Sequence, residues 1–282
     1  MRERRHIEQG RLHPDRIRRA VGWRWRMATS SRRALPDFVI LGAQRSGTTS
    51  LFDHLSSHPQ ILPPYRKEIH FHDLHHNRGV SWYRANFPLA RSIGPGQITG
   101  EATPNYLVHP DVPGRLARVT PEAKLMVLLR NPVDRAHSAW RLRSKEGRET
   151  ATFEQAVEKE QANPFPAIGD YQEDRKGVGD TLRFLYLAKS RYAEQVERWL
   201  DHFPLDRFLF MRSEDLFSDP EPVLGDVSRF LGIGAWDGTG FPAINQTAPA
   251  PIEPEFRARL VEYFAPHNRT LEKLVGRRFD WD

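Results

Sequence analysis

The sequence contains no cysteine at any of its 282 positions. Disulfide bonds and metal sites built on thiolates are therefore excluded. The chain also has no apolar run of about eighteen residues, so we predict no membrane-spanning helix. Its first residues lack the apolar core of a secretory signal, which predicts a cytoplasmic protein, with a peripheral contact to a membrane left open.

An even spread of charge is also missing, because the positive charge is concentrated at one end. Residues 1–35 contain eleven arginines and three acidic residues, a net charge of +8, so residues 36–282 carry −2 and the whole chain +6. Such a tail can bind nucleic acid, anionic lipid or an acidic partner, or remain solvated. Trp23 and Trp25 among the arginines fit an interfacial helix. We predict a basic extension over 1–35 and a single domain over 36–282.

A glycine loop between a strand and a helix is the most informative stretch. Residues 38–41 are apolar and predict a short buried strand, and residues 48–50 are hydroxyl residues that open a helix. Gly42 and Gly47 bracket the loop between them. Backbone N–H groups and the helix dipole make such a loop a phosphate site, to which Arg45 adds a charge. The alternative is an ordinary turn between a strand and a helix.

The loop differs from that of nucleoside triphosphatases, in which lysine follows the second glycine. Here Thr48 stands at that position and the cation comes earlier, at Arg45. A second apolar run, residues 124–129, predicts a central strand that ends in Arg130. An ATP-dependent enzyme usually has a magnesium-binding aspartate there. An arginine repels a metal ion and attracts a second anion, so one nucleotide with phosphates at two positions explains both sites.

Ionisable and apolar residues alternate over residues 65–73, which predicts an extended segment. Glu68, His70 and His72 would share one side, next to Lys67, as a candidate acid–base site. A polar surface strand is the simpler alternative. A metal site of the histidines is a further alternative, but their spacing matches no standard zinc pattern.

The order of apolar segments predicts an α/β protein with a P-loop-type three-layer fold, in which helices flank a central, mainly parallel sheet. Residues 141–181 are rich in charge, glycine and proline, and we expect most of them to form a loop region over the binding cleft. The basic residues in this stretch could bind an acidic ligand or form a solvated helix face. Further helices are predicted at Phe153–Gln161, Leu182–Phe203 and Asp219–Gly232.

These motifs resemble those of the sulfotransferases that use 3′-phosphoadenosine 5′-phosphosulfate (PAPS). The sequence is most similar to the branch containing the heparan sulfate N- and 3-O-sulfotransferases and their bacterial relatives. The resemblance covers roughly residues 36–282. It is carried by residues 42–49 (GAQRSGTT), 67–71 (KEIHF), 101–106 (EATPNY) and 130–138 (RNPVDRAHS).

The resemblance implies a donor site, a base and no metal. Glu68 would be the catalytic base, and Lys67 and His70 would orient it or the acceptor. Arg45 stands where the family usually has lysine, so its catalytic role would be electrostatic. The heparan enzymes carry a cysteine-flanked hairpin and a Lys-Gly-Arg loop near the C-terminus, whereas this chain has no cysteine and residues 247–254 stand in that region. The implied PAPS-binding residues are Gln44, Arg45, Ser46, Gly47, Thr48 and Thr49 at the 5′-phosphosulfate, and Arg130 and Ser138 at the 3′-phosphate.

The acceptor is left open by these residues. A hydroxyl is expected before an amine, and the resemblance favours a carbohydrate over a lipid or another small molecule. A phosphotransferase that uses ATP is the alternative enzyme, and a nucleic-acid-binding protein acting through residues 1–35 is the alternative from another class. We expect no nucleic-acid partner. The oligomeric state is not predicted.

Overall fold

Five parallel strands form one sheet in the computed structural model, which describes residues 22–162, 185–235 and 251–281. Their order is β2-β3-β1-β4-β5, and all four pairings are parallel. The predicted α/β fold with a parallel central sheet is confirmed. The strands are β1 (Phe38–Gly42), β2 (Ile61–Leu62), β3 (Ile98–Ala102), β4 (Lys124–Leu129) and β5 (Phe208–Arg212).

Helices connect the strands and cover both faces of the sheet. Among the described residues, 22–28 are also helical. The main helices are α1 (Thr48–Ser57), α2 (Gly79–Arg84), α3 (Val112–Val119), α4 (Pro132–Lys145), α5 (Phe153–Ala162), α6 (Tyr192–Leu200), α7 (Ser213–Ser218), α8 (Pro220–Leu231) and α9 (Pro254–Val275).

The side chains of β1 alternate between two cores. Val39 and Leu41 pack with residues of α3, α6 and α9, whereas Phe38 and Ile40 pack with residues of α1 and α8. All four are fully buried. Burial of one large apolar side chain contributes about 1.5–3 kcal/mol, so this strand anchors both outer layers. The loop that follows β1 therefore starts from a rigid point.

Local sequence signals set the starts of two helices near the site. The side chain of Asn131 accepts hydrogen bonds from the backbone N–H groups of Val133 and Asp134, at 3.0 and 3.3 Å. Thr152 and Gln155 form a capping box, in which each side chain accepts from the other residue's backbone N–H. A cap of this kind is worth about 1 kcal/mol. The predicted start of the helix at Phe153 is confirmed.

The helix predicted over Leu182–Phe203 is wrong over residues 185–191. Residues 182–184 lie outside the described residues, and α6 begins only at Tyr192. The carboxylate of Glu160 accepts hydrogen bonds from three consecutive backbone N–H groups, those of residues 186, 187 and 188. Backbone N–H groups in the interior of a helix donate to carbonyls of the preceding turn. Three consecutive N–H groups that donate to a side chain therefore do not lie in the interior of a helix. A contact from α5 therefore overrides the helical pattern.

The described part of the basic extension packs against the domain. The ring centroid of Trp23 lies 6.0 Å from that of Trp82, and Arg33 is only 2% exposed. The Arg33 guanidinium donates to the backbone carbonyl of Phe87 at 2.8 Å. Residues 22–33 are therefore not the solvated tail that the charge pattern allows. No helix in the described residues combines the length and the apolar character needed to cross a membrane.

Gly100 in β3 tests how tightly the strands pack. A Cβ atom at this position would lie 2.4–2.5 Å from the ring of Phe38, which is itself fully buried. We expect Gly100→Ala to lower the free energy of unfolding by about 1–3 kcal/mol, because a buried ring on a central strand has no free space to enter. Urea denaturation followed by circular dichroism measures this change.

Gly225 in α8 is the matched control. Its added Cβ would meet only the end of the Arg229 side chain, at 3.6 Å. Gly225→Ala should raise the free energy of unfolding by about 0.5–1 kcal/mol, since alanine restricts the unfolded chain and favours the helix. A Gly100→Ala protein as stable as the wild type would contradict the packing described.

Candidate functional site

The loop after β1 turns sharply before it enters α1. Arg45 and Gly47 both have left-handed backbones, with φ of 79° and 96°. Gly47 is required on steric grounds too, because a Cβ there would lie 2.6 Å from the ring of Phe217. The turn presents the N-terminus of α1, which starts at Thr48, at the carboxyl edge of the sheet.

A cavity of about 630 Å³ opens at this edge and collects the predicted anion-binding residues. The Arg45 Nε donates to the Ser138 hydroxyl at 3.1 Å, which links the loop to α4. Arg130 donates to the backbone carbonyl of Arg45 at 3.4 Å. The predicted residues that line the cavity are Arg45, Gly47, Thr48, Thr49, Arg130 and Ser138.

Two predicted donor-site residues do not line this cavity. Gln44 points to the other side of the loop, where its side-chain oxygen lies 3.3 Å from the Lys189 ammonium. Ser46 is buried, and its backbone carbonyl accepts from the Ser213 hydroxyl at 2.7 Å. The left-handed backbone at Arg45 between them directs Arg45 into the cavity and its neighbours away from it. Their roles in donor binding stay predictions.

One face of α4 adds charges that the sequence did not assign to the donor site. Arg141 and Lys145 line the cavity, at helical spacing from Ser138. Burial lowers the pKa of Arg45, and the charges of Arg130, Arg143 and Arg141 lower it further. The helical spacing of Arg141 and Lys145 from Ser138 was the sequence signal that could have assigned them to the cavity. The cavity is therefore strongly positive.

His137 also lines the cavity and is stacked on Trp140 at a centroid distance of 5.4 Å. Burial and the charge of Arg141 lower the pKa of His137 to about 4. It is therefore a neutral ring at neutral pH. It offers the cavity an aromatic surface and a hydrogen-bonding nitrogen rather than a further charge.

Glu68 lies at the end of β3, beside the loop, and does not line the cavity. Its backbone N–H donates to the carbonyl of Ala102 at 3.1 Å. Glu68 and His70 both have left-handed backbones, with φ of 53° and 54°. The extended segment predicted for residues 65–73 is therefore wrong. The two turns still bring the Glu68 carboxylate to 3.6 Å from the His70 Nε2.

Asp73 completes this arrangement and was not predicted. Its buried carboxylate lies 2.8 Å from the other imidazole nitrogen of His70. Burial opposes the charge on His70, but Asp73 and Glu68 raise its pKa to about 10. His70 is therefore an imidazolium at neutral pH. Its attraction holds the pKa of Glu68 below the usual range, so Glu68 is ionised.

His72 does not lie on the same side as Glu68 and His70, although the alternation of residues 65–73 predicts that it does. It is fully buried against the rings of Phe71, Tyr83 and Tyr106. Burial lowers its pKa to about 3. His72 is a neutral packing residue rather than a part of the acid–base group.

Lys67 is half-buried and interacts with two carboxylates. Burial lowers the pKa of Lys67, while the carboxylates of Glu68 and of Asp53 on α1 oppose that change. Lys67 thus lies between α1 and residues 68–73, which carry the predicted base Glu68 and are called the base segment below. This position agrees with the predicted role of orienting Glu68, and the role itself stays a prediction.

A buried hydrogen-bond network holds the base segment from behind. The Glu101 carboxylate on β3 accepts from the hydroxyls of Tyr83, Thr103 and Tyr106, at 2.5, 2.9 and 3.4 Å. The Tyr106 hydroxyl in turn accepts from the backbone N–H groups of residues 71 and 72. Burial raises the pKa of Glu101 to about 7. The sequence signal for Glu101 was its place in the motif of residues 101–106, although no role followed from that motif.

The described side chains fit an organic anion better than a metal. Within residues 22–162, 185–235 and 251–281, no group of three histidine, aspartate or glutamate side chains could hold a metal ion. Guanidinium groups, hydroxyls and a helix N-terminus are the donors that phosphate and sulfate prefer. The donor set and the cavity volume therefore suit a nucleotide with more than one anionic group.

Comparison with known proteins gives the family. The family model described as a sulfotransferase domain matches residues 35–240. Heparan sulfate glucosamine 3-O-sulfotransferase 6 of Mus musculus is 33% identical over 89% of this chain and 75% of the relative. The membrane-associated sulfotransferase kil1 of Dictyostelium discoideum is 28% identical over 88% of this chain and 66% of its own length. This chain thus spans about two thirds to three quarters of these relatives.

A solved structure has the same fold over nearly its whole length. The crystal structure of a sulfotransferase from Alicyclobacillus acidocaldarius superposes with a TM-score of 0.71 and 29% sequence identity, covering 88% of this chain and 99% of that one. The resemblance found in the motifs is confirmed. The chain belongs to the sulfotransferase domain family.

Proposed function

We propose that this sulfotransferase moves a sulfuryl group from PAPS to an acceptor hydroxyl, with Glu68 as general base. The observation that carries the proposal is the meeting of Arg45, Arg130 and the start of α1 in one cavity. PAPS supplies the sulfuryl group and leaves as adenosine 3′,5′-bisphosphate. In the balanced step, the acceptor oxygen bonds to sulfur, the bond from sulfur to the phosphate oxygen breaks, and the acceptor proton passes to Glu68.

The positive side of the cavity would hold the donor. Arg45 and the N–H groups at the start of α1 would bind the 5′-phosphosulfate, and Arg130 and Ser138 the 3′-phosphate, as the family resemblance implies. Negative charge grows on the bridging phosphate oxygen as its bond to sulfur breaks. One fixed donor at such an oxygen is typically worth about 3 kcal/mol of transition-state stabilisation.

The acceptor side would supply the base. His70 holds the pKa of Glu68 below its usual range, and Asp73 fixes His70 in turn. A positioned base of this kind contributes a factor of about 10²–10⁴ in rate. We propose a carbohydrate acceptor, because relatives at 30–33% identity are named as heparan sulfate glucosamine 3-O-sulfotransferases. A cytoplasmic location stays a prediction.

Arg130→Ala tests the donor site. We expect its dissociation constant for adenosine 3′,5′-bisphosphate to rise about 10–100-fold, because a charge-assisted hydrogen bond to the 3′-phosphate is lost. Isothermal titration calorimetry measures this dissociation constant, and a separate titration with ATP gives the value for comparison. Arg118 is exposed on α3 and does not line the cavity, so Arg118→Ala is the control with the same charge change. Equal losses in both variants would argue against a specific site, and tighter binding of ATP by the wild type would favour a phosphotransferase.

Glu68→Gln tests the base. This variant keeps the shape of the side chain but cannot accept the proton, so we expect kcat to fall about 10²–10⁴-fold with nucleotide binding unchanged. Transfer of radiolabelled sulfate from PAPS measures turnover. Glu262→Gln, at an exposed position on α9, is the matched control. A Glu68→Gln enzyme with near wild-type turnover would remove Glu68 from the proposed role.

His70→Ala tests the ion pair through pH. His70 holds the pKa of Glu68 below its usual range, so loss of His70 should raise that pKa. Because the base must be ionised, the acid limb of kcat/KM should move to higher pH. The exposed His202 provides the control variant His202→Ala, whose acid limb should stay in place. An unmoved limb in His70→Ala would mean that the pair does not set the ionisation of the base.

A further inference from the structure

Glu101 is a buried carboxylate to which the proposed reaction assigns no step. It lies on β3 and is fully buried, and the groups that donate to it are the neutral hydroxyls of Tyr83, Thr103 and Tyr106. Burial of a carboxylate is unfavourable, and neutral donors offset its cost less well than a cation in contact. The presence of an acid at this buried position therefore calls for an explanation.

The carboxylate fixes how two of these hydroxyls are used. A hydroxyl has one proton to donate and lone pairs that accept. Because Thr103 and Tyr106 donate that proton to Glu101, their oxygens are left to accept. The Tyr106 oxygen accepts from the backbone N–H groups of residues 71 and 72, at 2.9 and 3.2 Å. The Thr103 oxygen accepts from the N–H of His70 at 3.5 Å, so Glu101 holds three consecutive N–H groups of the base segment through two hydroxyls.

The backbone of the base segment needs such acceptors. Glu68 and His70 adopt left-handed conformations, with φ of 53° and 54°, which residues other than glycine disfavour. The alternating sequence of residues 65–73 favours an extended strand instead. Acceptors for the N–H groups of residues 70–72 stabilise the turned form, in which the Glu68 carboxylate lies 3.6 Å from the His70 Nε2. Loss of these acceptors would therefore release the turn that positions Glu68.

Apolar contacts hold the same segment on the domain by separate means. The rings of Phe71 and Tyr83 are stacked at a centroid distance of 4.5 Å, and Ile69 is buried in the same apolar cluster. These contacts do not depend on the charge of Glu101. A change at Glu101 should therefore disturb the geometry of the proposed base without detaching the segment.

We propose that Glu101 is a positioning residue, which orients the hydroxyls of Thr103 and Tyr106 as acceptors for the base segment and thereby holds Glu68 in place. This inference rests on the proposed function, because the role of Glu68 as base belongs to that proposal. Glu101 acts through the two hydroxyls and needs no contact with donor or acceptor. Displacement of a reacting group by about 1 Å can lower a rate by about 10²-fold, so a small shift of the turn has a measurable effect.

Two substitutions test this role. Glu101→Gln replaces one acceptor oxygen by an NH₂ donor, and Tyr106→Phe removes the oxygen that binds the base segment but keeps the ring. The matched controls are Glu149→Gln and Tyr186→Phe, because the Tyr186 hydroxyl donates to the Glu149 carboxylate at 3.0 Å and Tyr186 packs in a different apolar cluster.

Turnover is measured at about pH 8, where a carboxylate with a pKa of about 7 is mostly ionised. Transfer of radiolabelled sulfate from PAPS to a heparan sulfate oligosaccharide gives kcat and KM. Binding of adenosine 3′,5′-bisphosphate, measured by calorimetry, counts the folded enzyme, so that kcat is expressed per folded molecule.

A spectroscopic signal reports the geometry without any acceptor. Glu68 and Asp73 raise the pKa of His70 to about 10, against the effect of burial. Tyr106→Phe changes no charge, so a lower pKa of His70 in this variant reports displacement of the ion pairs. Nuclear magnetic resonance of isotope-labelled histidines gives the titration, and His70→Ala identifies the signal.

We expect Glu101→Gln and Tyr106→Phe to bind the bisphosphate as the wild type does. Their kcat per folded enzyme should fall about tenfold or more, with a much smaller change in the KM for the acceptor. The double variant should lose far less than the product of the two single losses, because both groups act through one network. His70 should titrate at lower pH in Tyr106→Phe, and both controls should match the wild type.

Three results would overturn the proposal. The first is a wild-type kcat per folded enzyme in both variants, even with a lowered melting temperature, since the network would then be structural support only. The second is an unchanged His70 titration in Tyr106→Phe, and the third is a double variant whose loss equals the product of the single losses. If Glu101→Gln does not fold, kcat and the His70 titration of Tyr106→Phe decide. A wild type that transfers no sulfate, while Tyr106→Phe still shifts the His70 titration, would instead contradict the proposed function alone.

Discussion

The close approach of two like charges, Arg45 and Arg130, is the constraint on which the donor side of the site depends. The hydrogen bond from Arg130 to the Arg45 carbonyl fixes the pair, and Arg141 adds a third charge nearby. Like charges at this range repel each other, so a scaffold must hold them in place or an anion must lie between them. The scaffold here is the pairing of β1 with β4, which brings the ends of both strands to one edge. A bound bisphosphate would turn this repulsion into attraction.

The acid–base side is built in the opposite way, with charges that alternate in sign. Glu68, His70 and Asp73 follow one another as anion, cation and anion. Behind them, the buried Glu101 is held by three hydroxyls, one of which also binds the backbone of the base segment. Because each of these charges already has a partner of opposite sign, binding of a further ion here would add little electrostatic stabilisation. In the proposed reaction, this side would position the acceptor hydroxyl and take its proton.

Sequence reasoning succeeded where the signal is local and failed where a distant contact decides. The strands at residues 38–41 and 124–129 and the helix that begins at Phe153 depend on neighbouring residues, and all were predicted correctly. The base segment and the start of α6 were not, because their backbones are held by groups 35 and 26 residues away, the Tyr106 hydroxyl and the Glu160 carboxylate. Arg45 and Arg130 could be placed together because adjacent parallel strands end at one edge. No pattern in the sequence indicates that Gln44 turns away.

In the proposed reaction, this division of charge also fixes when the proton moves. A guanidinium group does not give up a proton, so the donor side can only stabilise the negative charge on the leaving phosphate. His70 holds the pKa of Glu68 below its usual range, and a carboxylate with a lowered pKa is a weak base. It cannot take a proton from a free hydroxyl, whereas a hydroxyl oxygen that is already bonding to sulfur is far more acidic. Proton transfer must therefore follow the start of bond formation, and the positive cavity must supply the larger part of the rate enhancement.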